Sequence, residues 1–564
     1  HVRHLDTNGQ NSESMIYAKG DGAVELYHNN SKKFETTSSG VDVTGAITVN
    51  GAALSSAPTI TATVDGSLSA NDAVLVKSTG NVEKVTETIS INNPSTFGGV
   101  RQEIGPQNQV QSYVQVTSSA KKQVLTLYQK GNDNDKGAYY IWAYDGNGGW
   151  GFGNWGANKT YYSQGITFHD SCYSPLTNQL FIVSAPWNNN DRFAIGSGRF
   201  NDWTGSGGND EGTDITWNAK TTAIGSNNDE GSNFARCCCD QELGHFYTIF
   251  RDNNDSYVNV YYAASTTSSG VTIESTRSLP FGTGTVQNQV ACAAGNGLVL
   301  VAYSNASGVT YLHAGKYDAS ATGKVSWGTA AVLSGQSEAA TGNYYDIAYN
   351  AGADAFVFVW TDNNVPKVKA MTVNSSTLAI TQGSPVTIDS NNGKYTSVGY
   401  DETTKSNPIA WREDSSGDGF VRNATVSGTT VSLTASTSSA FENDNVNAVS
   451  PAQKFQIQDM KVYGVSTIGY RENGDEYAEI RHISSGSSST NLTTENFIGF
   501  SSAAYSNGNT GTINVVGNST TKSGLTPAKT YYIQRDGTIK TSADTTVGTV
   551  KAGTSLSSTK LLIN

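Results

Sequence analysis

The sequence predicts an all-β protein. Three observations carry that expectation: a composition of turn formers, short runs of β-branched and aromatic residues, and a recurring unit of four such runs. Gly supplies 59 of 564 residues, charged residues 15% and Met 3, while Tyr (28) outnumbers Phe (18). Helices draw on Leu, Glu, Lys and Ala; strands joined by polar turns draw on this mixture instead. No stretch approaches the ~18 consecutive apolar residues of a membrane span. The net charge is −12 and there is no basic run. Neither membrane insertion nor a nucleic-acid partner is therefore expected.

The recurring unit is clearest after residue 345. Asp346–Asn350 and Ala355–Trp360 read as strands, Thr361–Asn364 as a turn, and Val368–Val373 and Ser384–Ile388 as two more strands. The same order follows Cys292, with Gly297–Tyr303, and Cys237, with His245–Phe250 and the turn Arg251–Asn254. It follows Cys172 too, with Gln179–Val183 and Trp187–Asn190. Marking each copy by its first-strand position gives 114, 172, 237, 292, 347, 398 and 457, in steps of 51 to 65. A four-stranded unit at this spacing predicts a β-propeller of seven blades over residues 87–490. A solenoid would keep stricter repeat lengths.

The five cysteines fit this layout. Cys172, Cys237 and Cys292 fall in the slot that Val114, Ile347, Val398 and Ile457 fill elsewhere. An odd number, with Cys237, Cys238 and Cys239 consecutive, makes no disulfide framework. They read as small core thiols of a chain made in a reducing cytosol, with its work done elsewhere. The opening His1-Val2-Arg3-His4 suggests a processed piece of something longer. The last copy lacks a clear fourth strand, and Val85–Ile91 precedes the first copy unassigned. That strand is expected to complete the last blade and so remove the open edges.

A second repeat brackets the propeller. Asp72–Lys77 with Val82–Val85, and Thr530–Gln534 with Thr538–Lys540, read as two hairpins. Each is expected to lead to a strand pair opening on an apolar-Gly step: Phe497–Phe500 with Gly511–Val516, and Val547–Val550 with Lys560–Ile563. Residues 57–86 and 491–564 thus predict one small duplicated β-barrel, interrupted by the propeller. Residues 1–56 offer three short strands, Ala23–His28, Lys32–Thr37 and Val41–Val43, which bury too little to stand alone. They are expected to serve as a fibre segment that assembles identical chains, in a homotrimer.

Gly22–Thr37, continued through Gly40–Gly45, resembles a segment common in tail-fibre and appendage proteins of marine bacteriophages. Asn491–Gly499, and Gly524–Pro527 with Tyr531–Gln534, are similar to C-terminal modules of phage structural proteins. These motifs cover a minority of the chain. The resemblance implies a virion appendage, commonly trimeric, contacting other virion proteins and attaching to a host-surface glycan or receptor. It would be made in the host cytoplasm and displayed outside the cell.

Glycosidic cleavage needs two positioned carboxylates, or a Tyr nucleophile helped by acids and arginines. Asp170, Asp346, Asp401 and Asp459 lie near first strands, but at different offsets from the slot. Asp240, Asn350 and Asp401 share one offset, three residues on, and read as turn residues. The sialidase box Ser-x-Asp-x-Gly-x-Thr-Trp is missing, so no enzyme is expected, and a polysaccharide-degrading tailspike is the least favoured reading. Asn132–Gly137 and Asp414–Gly419 offer oxygen ligands for calcium, yet turn propensity accounts for both. No metal or other cofactor is expected. The aromatics Trp150, Trp155, Tyr161, Trp187 and Trp203 crowd the expected loops of the first two blades. They are the candidate glycan-binding residues, because sugars stack their apolar faces on rings. The alternative is a purely structural appendage whose propeller is a spacer, the rings packing on their own loops or a neighbouring chain.

Overall fold

A computed structural model describes residues 2–5, 12–49, 52–53, 57–104, 110–118, 123–130, 136–144, 150–153, 159–186, 193–201, 215–218, 221–224, 231–252, 258–267, 270–274, 276, 278–281, 286–305, 307–336, 345–434, 438–443, 445–447, 455–460, 465–472, 478–544 and 546–564. The chain forms two compact units, residues 88–489 and residues 1–87 with 490–564. Both are built of antiparallel sheet, and no α-helix occurs among the described residues.

In the larger unit, strand groups follow one another along the chain, and all but the last pair their main strands in sequence order. One group runs Tyr345–Asn350, Ala355–Asp362, Val365–Val373 and then an outer element. Every residue of Ala355–Asp362 is buried. Phe358 and Trp360 face the group before, packing with Leu300 and Leu312. Val357 and Val359 face the group after, packing with Ile409 and Trp411. A strand covered on both faces needs no polar alternation, which explains the continuous apolar run. The strand continues to Asp362, so the turn predicted at Thr361–Asn364 narrows to Asn363 and Asn364. Both have positive φ (52° and 60°), as a two-residue hairpin turn requires.

The fourth strand expected at Ser384–Ile388 is instead two short pieces. Ile380–Gln382 pairs with one end of Val365–Val373, and Val386–Thr387 with the other. The split recurs in neighbouring groups, with Val325–Trp327 and Ala331–Val332 in one and Thr430–Leu433 and Ser439–Glu442 in another. Each outer element breaks at polar residues, so alternation never runs long enough to be read as one strand.

Neighbouring groups are joined by hydrogen bonds. Ser171 Oγ donates to Gln115 O (2.9 Å). Asp170 Oδ2 accepts from Cys237 N (3.1 Å) and Asp240 Oδ2 from Gly297 N (2.7 Å). Ser304 Oγ donates to Tyr345 Oη (3.3 Å). Asp346 Oδ2 accepts from Val398 N (3.3 Å), and Ser397 Oγ from Phe455 N (2.8 Å). Thr117 Oγ1 donates to Asp459 O (2.9 Å), linking the last group to the first. The strand Glu87–Ile104 lies beside Ala478–Thr490, outermost in the last group.

The smaller unit carries a duplication. One sheet orders its strands Thr59–Thr63, Thr510–Asn514, Phe497–Ser501, Ala73–Val76, Val82–Lys84. The other orders Ser519–Thr521, Lys560–Ile563, Lys551–Ser557, Thr530–Ile533, Ile539–Lys540. Position by position the two correspond, but the first is split in sequence after Val82–Lys84. The apolar-Gly step expected at Val547-Gly548 lies instead at Ala552-Gly553, inside Lys551–Ser557. Gly499 and Gly553 mark it, with φ of 153° and 157°; a Cβ on either would stand 2.0 Å from a carbonyl oxygen across the sheet. Only Gly fits. The sheets share a core of Leu75, Val85, Phe500, Tyr531, Ile533, Leu561 and Ile563. Thr86 N donates to Asn491 Oδ1 (2.8 Å), so the two chain ends that meet the larger unit lie side by side. A shortened chain with Val85 joined through a short linker to Asn491 is therefore expected to fold alone. Cooperative urea unfolding of that chain is the check, and a gradual, non-cooperative loss of structure would refute it.

A buried ion pair closes the second sheet's hairpin. Arg535 Nε and Nη2 meet Asp544 Oδ2 and Oδ1 at 2.9 and 3.1 Å, with Glu87 Oε1 3.7 Å from Nε. Arg535 is 7% and Asp544 2% exposed. Asp544→Ala strips the bidentate partner from a buried guanidinium, so it is expected to cost the unit about 3–5 kcal/mol. Urea denaturation of Asp544→Ala against Asp544→Asn tests this, since the amide keeps an acceptor for the guanidinium and should lose less.

Val2 to Val43 carry five described strands rather than three: Val2–Leu5, Ser12–Ala18, Val24–His28, Ser31–Thr37 and Gly40–Val43 pair in that order, followed by the separate hairpin Thr48–Val49 with Ala52–Ala53. Register places Val2, Ile16, Leu26, Phe34 and Val43 in one row across the sheet. Val24, Thr36 and Val41 extend that face. The opposite face holds Glu25, which accepts from Lys19 Nζ (3.0 Å) and Tyr27 Oη (2.6 Å).

Candidate functional site

The turns between first and second strands explain the acidic residues. Asp240 Oδ1 accepts from Glu242 N (3.0 Å) and Leu243 N (3.1 Å), while Oδ2 reaches Gly297 N in the next group. Asn350 Oδ1 accepts from Ala353 N (2.9 Å), and its Nδ2 donates to Asn407 Oδ1 (2.7 Å) of the following group. Asp401 Oδ1 accepts from Thr404 N (3.1 Å); burial pushes its carboxyl pKa up. One residue thus folds its own turn and, at Asp240 and Asn350, also ties that turn to the next group. Asp170 and Asp346 are likewise engaged by backbone N–H groups of the following innermost strand.

The Asp414–Gly419 segment is a tight turn. Gly417 N donates to Glu413 O (3.0 Å), Ser416 Oγ to Glu413 Oε2 (2.8 Å), and Asp414 pairs with Lys394 at 2.9 Å. Asn132–Asp135 of the other candidate loop lie outside the described residues. Among the described residues no cluster of three or more His, Cys, Asp and Glu could hold a metal ion.

Of the candidate glycan residues, Trp155, Trp187 and Trp203 lie outside the described residues. Trp150 and Tyr161 sit in strands, not loops. Trp150–Gly153 pairs with Ile141–Tyr144, and Lys159–Ser174 pairs first with the preceding group and then with Gln179–Pro186. Alternation of Trp150 and Phe152 with glycine supports a strand, and the glycine density hid it.

Sequence reading missed another aromatic group. His245, Tyr262 and Tyr317 meet with ring centroids 4.8 to 5.3 Å apart. Tyr317 is 39% exposed, and neighbouring Leu243 47%. Leu243 Cδ1 lies 3.7 Å from where Gly297 would carry a Cβ, and Leu298 pairs with Lys316, so Leu243 and Tyr317 flank one turn. Burial lowers the His245 pKa, against the opposing charge of Asp240. The result is an accessible ring, stacked on Tyr262 and tilted against His245, beside an apolar side chain and an acidic turn. Such a surface can take the apolar face of a sugar. The signal was present in sequence as aromatics at 245, 262 and 317, but three strands of two groups bring them together.

No family model and no curated protein sequence matches the chain. Among solved structures it is weakly similar to the fucose-specific lectin from Aleuria aurantia, at 9% identity and a TM-score of 0.35, covering 62% of this chain and 99% of the lectin. A protein from Lactobacillus plantarum matches at 12% identity and 0.40, covering 61% and 95%. Saccharomyces cerevisiae Sqt1 matches at 8% and 0.38, covering 69% and 100%. Likenesses this distant carry no functional argument.

Proposed function

We propose that the chain is a subunit of a bacteriophage tail fibre or related virion appendage, non-catalytic and without cofactor. In this reading residues 88–489 are a seven-bladed β-propeller, closed by Glu87–Ile104 as the last blade's outer strand. The hydrogen bonds that lead from Gln115 round to Asp459 and back to Thr117 support that reading. The smaller unit's paired sheets form a duplicated barrel interrupted by the propeller. Residues 1–56 assemble three chains, and the propeller presents a surface to a host-surface glycan or receptor. Other virion proteins hold the assembly.

The observation that carries this is the row Val2, Ile16, Leu26, Phe34, Val43. It is an apolar face on a small sheet, with Val2 51%, Ile16 39% and Leu26 40% exposed, and it suits assembly with identical chains. The glycan surface rests on Tyr317 and Leu243, while Trp150, Trp155, Tyr161, Trp187 and Trp203 stay candidates on the sequence alone. A glycan array probed with the full chain tests it. Bound glycan is the expected result, with Tyr317→Ala weakening it about fivefold, since losing an aromatic stack costs about 1 kcal/mol. No binding to any glycan would favour a structural spacer, and release of reducing ends a degrading spike.

A further inference from the structure

The turn between Val286–Gly295 and Leu298–Asn305 is Asn296-Gly297, with φ of 52° and 76°, the two-residue hairpin turn that Asn-Gly favours. Leu243 and Tyr317 flank this turn, and it also carries a polar feature. Asn296 Nδ2 donates to Asp354 Oδ1 of the following group (3.0 Å), and Tyr349 Oη donates to the same oxygen (2.7 Å). The Tyr349 ring lies over Gly295, where a Cβ would stand 2.0 Å from it, so the hydroxyl is held in place. Asn296 and Asp354 are both exposed. With Nδ2 turned to the carboxylate, the Asn296 amide points its oxygen away. Asp354 Oδ2 and Asn296 Oδ1 accept no hydrogen bond among the described residues, and stand as two acceptors at the surface. Glu242 beside Leu243, and Asp318 beside Tyr317, add charge of the same sign. Hydrogen bonds from Ser320 and Ser326 hold the Asp318 carboxyl well below the usual range. The nearby lysines turn to backbone carbonyls, Lys316 Nζ to Ser375 O (3.2 Å) and Lys324 Nζ to Ala319 O (2.8 Å).

Resting on the glycan-binding reading above, we propose that this turn selects amino sugars. Asp354 Oδ2 and Asn296 Oδ1 receive a protonated sugar amine, while Leu243 and Tyr317 take the apolar face of a ring in the same oligosaccharide. An ammonium brings three donors and a positive charge, which matches a carboxylate and an amide oxygen held side by side. A carboxylated or sulfated sugar brings acceptors and negative charge to a surface of acceptors and negative charge, so it is rejected. An N-acetylated sugar lacks the charge and keeps a single N–H, so it retains only the contact with the apolar side chains.

The test measures calorimetric binding of the full chain to a β-1,4-linked glucosamine tetrasaccharide, its fully N-acetylated form and a sulfated tetrasaccharide. Salt is kept at about 0.15 M, to screen long-range attraction, and pH at about 6.5, below the ordinary α-amino range, so that the amines are charged. The amino form is expected to bind about tenfold tighter than the acetylated form, the size of one charge-assisted contact, and the sulfated form not at all. Asp354→Asn should weaken the amino form about tenfold and leave the acetylated form unchanged. Its urea midpoint should match the parent's, because residue 354 is exposed. Asp414→Asn, in a turn at the opposite end of the same unit, should alter neither affinity. Equal affinity for the amino and acetylated forms, or a preference for the sulfated one, would overturn the amine assignment and leave the glycan reading standing. Equal losses from Asp354→Asn and Asp414→Asn would trace binding to the net charge of −12 and overturn the site. No binding to any of the three, nor to a wider glycan array, would remove both readings.

Discussion

Removing residues 1–56 is expected to lower the particle mass in solution from three chains to one while the larger unit's thermal transition persists. The apolar row Val2–Ile16–Leu26–Phe34–Val43 crosses all five strands, so no strand of the sheet can fold over to hide it. Val24 (39%) and Val41 (60%) widen it. Sealing each exposed aliphatic side chain contributes about 1 kcal/mol, and five of them per chain exceed what a solitary sheet leaves in water. The outer edges of Val2–Leu5 and Gly40–Val43 are unpaired within this sheet, and neighbours around a three-fold axis would cover them. There is no heptad run to trimerise the chain as a coiled coil. Leu26→Asp should act as the deletion does, since it plants a charge mid-row without shortening the chain. Sedimentation equilibrium at micromolar concentration decides the matter. A truncated chain that stayed trimeric would move the interface to another part of the molecule.

The larger unit is expected to lose stability steeply below pH 6.5. Burial lowers the pKa of His313 and of His482 to about 4, and they are 9% and 3% exposed. The unfolded chain protonates these histidines near 6.5, whereas the folded chain resists until about 4. Between those values the unfolded state binds more protons, so stability falls as pH falls; above 6.5 the contribution is fully present. A shift of this size corresponds to roughly 3 kcal/mol for each histidine. His482→Gln should therefore flatten the urea-denaturation midpoint between pH 7 and 4 by about half of the histidine-dependent loss. An unchanged slope in the variant would show that other groups govern acid unfolding.

What the sequence disclosed follows from where its signals are local. A strand buried on both faces, such as Ala355–Asp362, announces itself as an unbroken apolar run, and Asn363-Asn364 as its turn. The matched hairpins Ala73–Lys84 and Thr530–Lys540 were legible for the same reason. The split outer elements were not, because pieces of two or three residues carry no period. The second apolar-Gly step was misplaced because Val547-Gly548 and Ala552-Gly553 look alike until the pairing of Gly553 with Ile563 selects one. Two of the five N-terminal strands, Val2–Leu5 and Ser12–Ala18, were missed. Met15, Ile16 and Tyr17 are three apolar residues in succession, which hides the alternation that register restores. The cluster at Tyr317 needed contacts between residues 72 positions apart, from 245 to 317.

The split in the first half of the duplicated unit governs how the molecule carries mechanical load. Tension between the N-terminal sheet and the C-terminus passes across the pairing of Thr59–Thr63 with Thr510–Asn514 and that of Ala73–Val76 with Phe497–Ser501, both outside the inserted residues. Those residues remain unloaded until both pairings part. A pull applied instead to a ligand on residues 88–489 leaves through two covalent crossings in parallel, at 87–88 and 489–490. Each bears only part of the force, so such an attachment would withstand drag that a single linker would transmit whole.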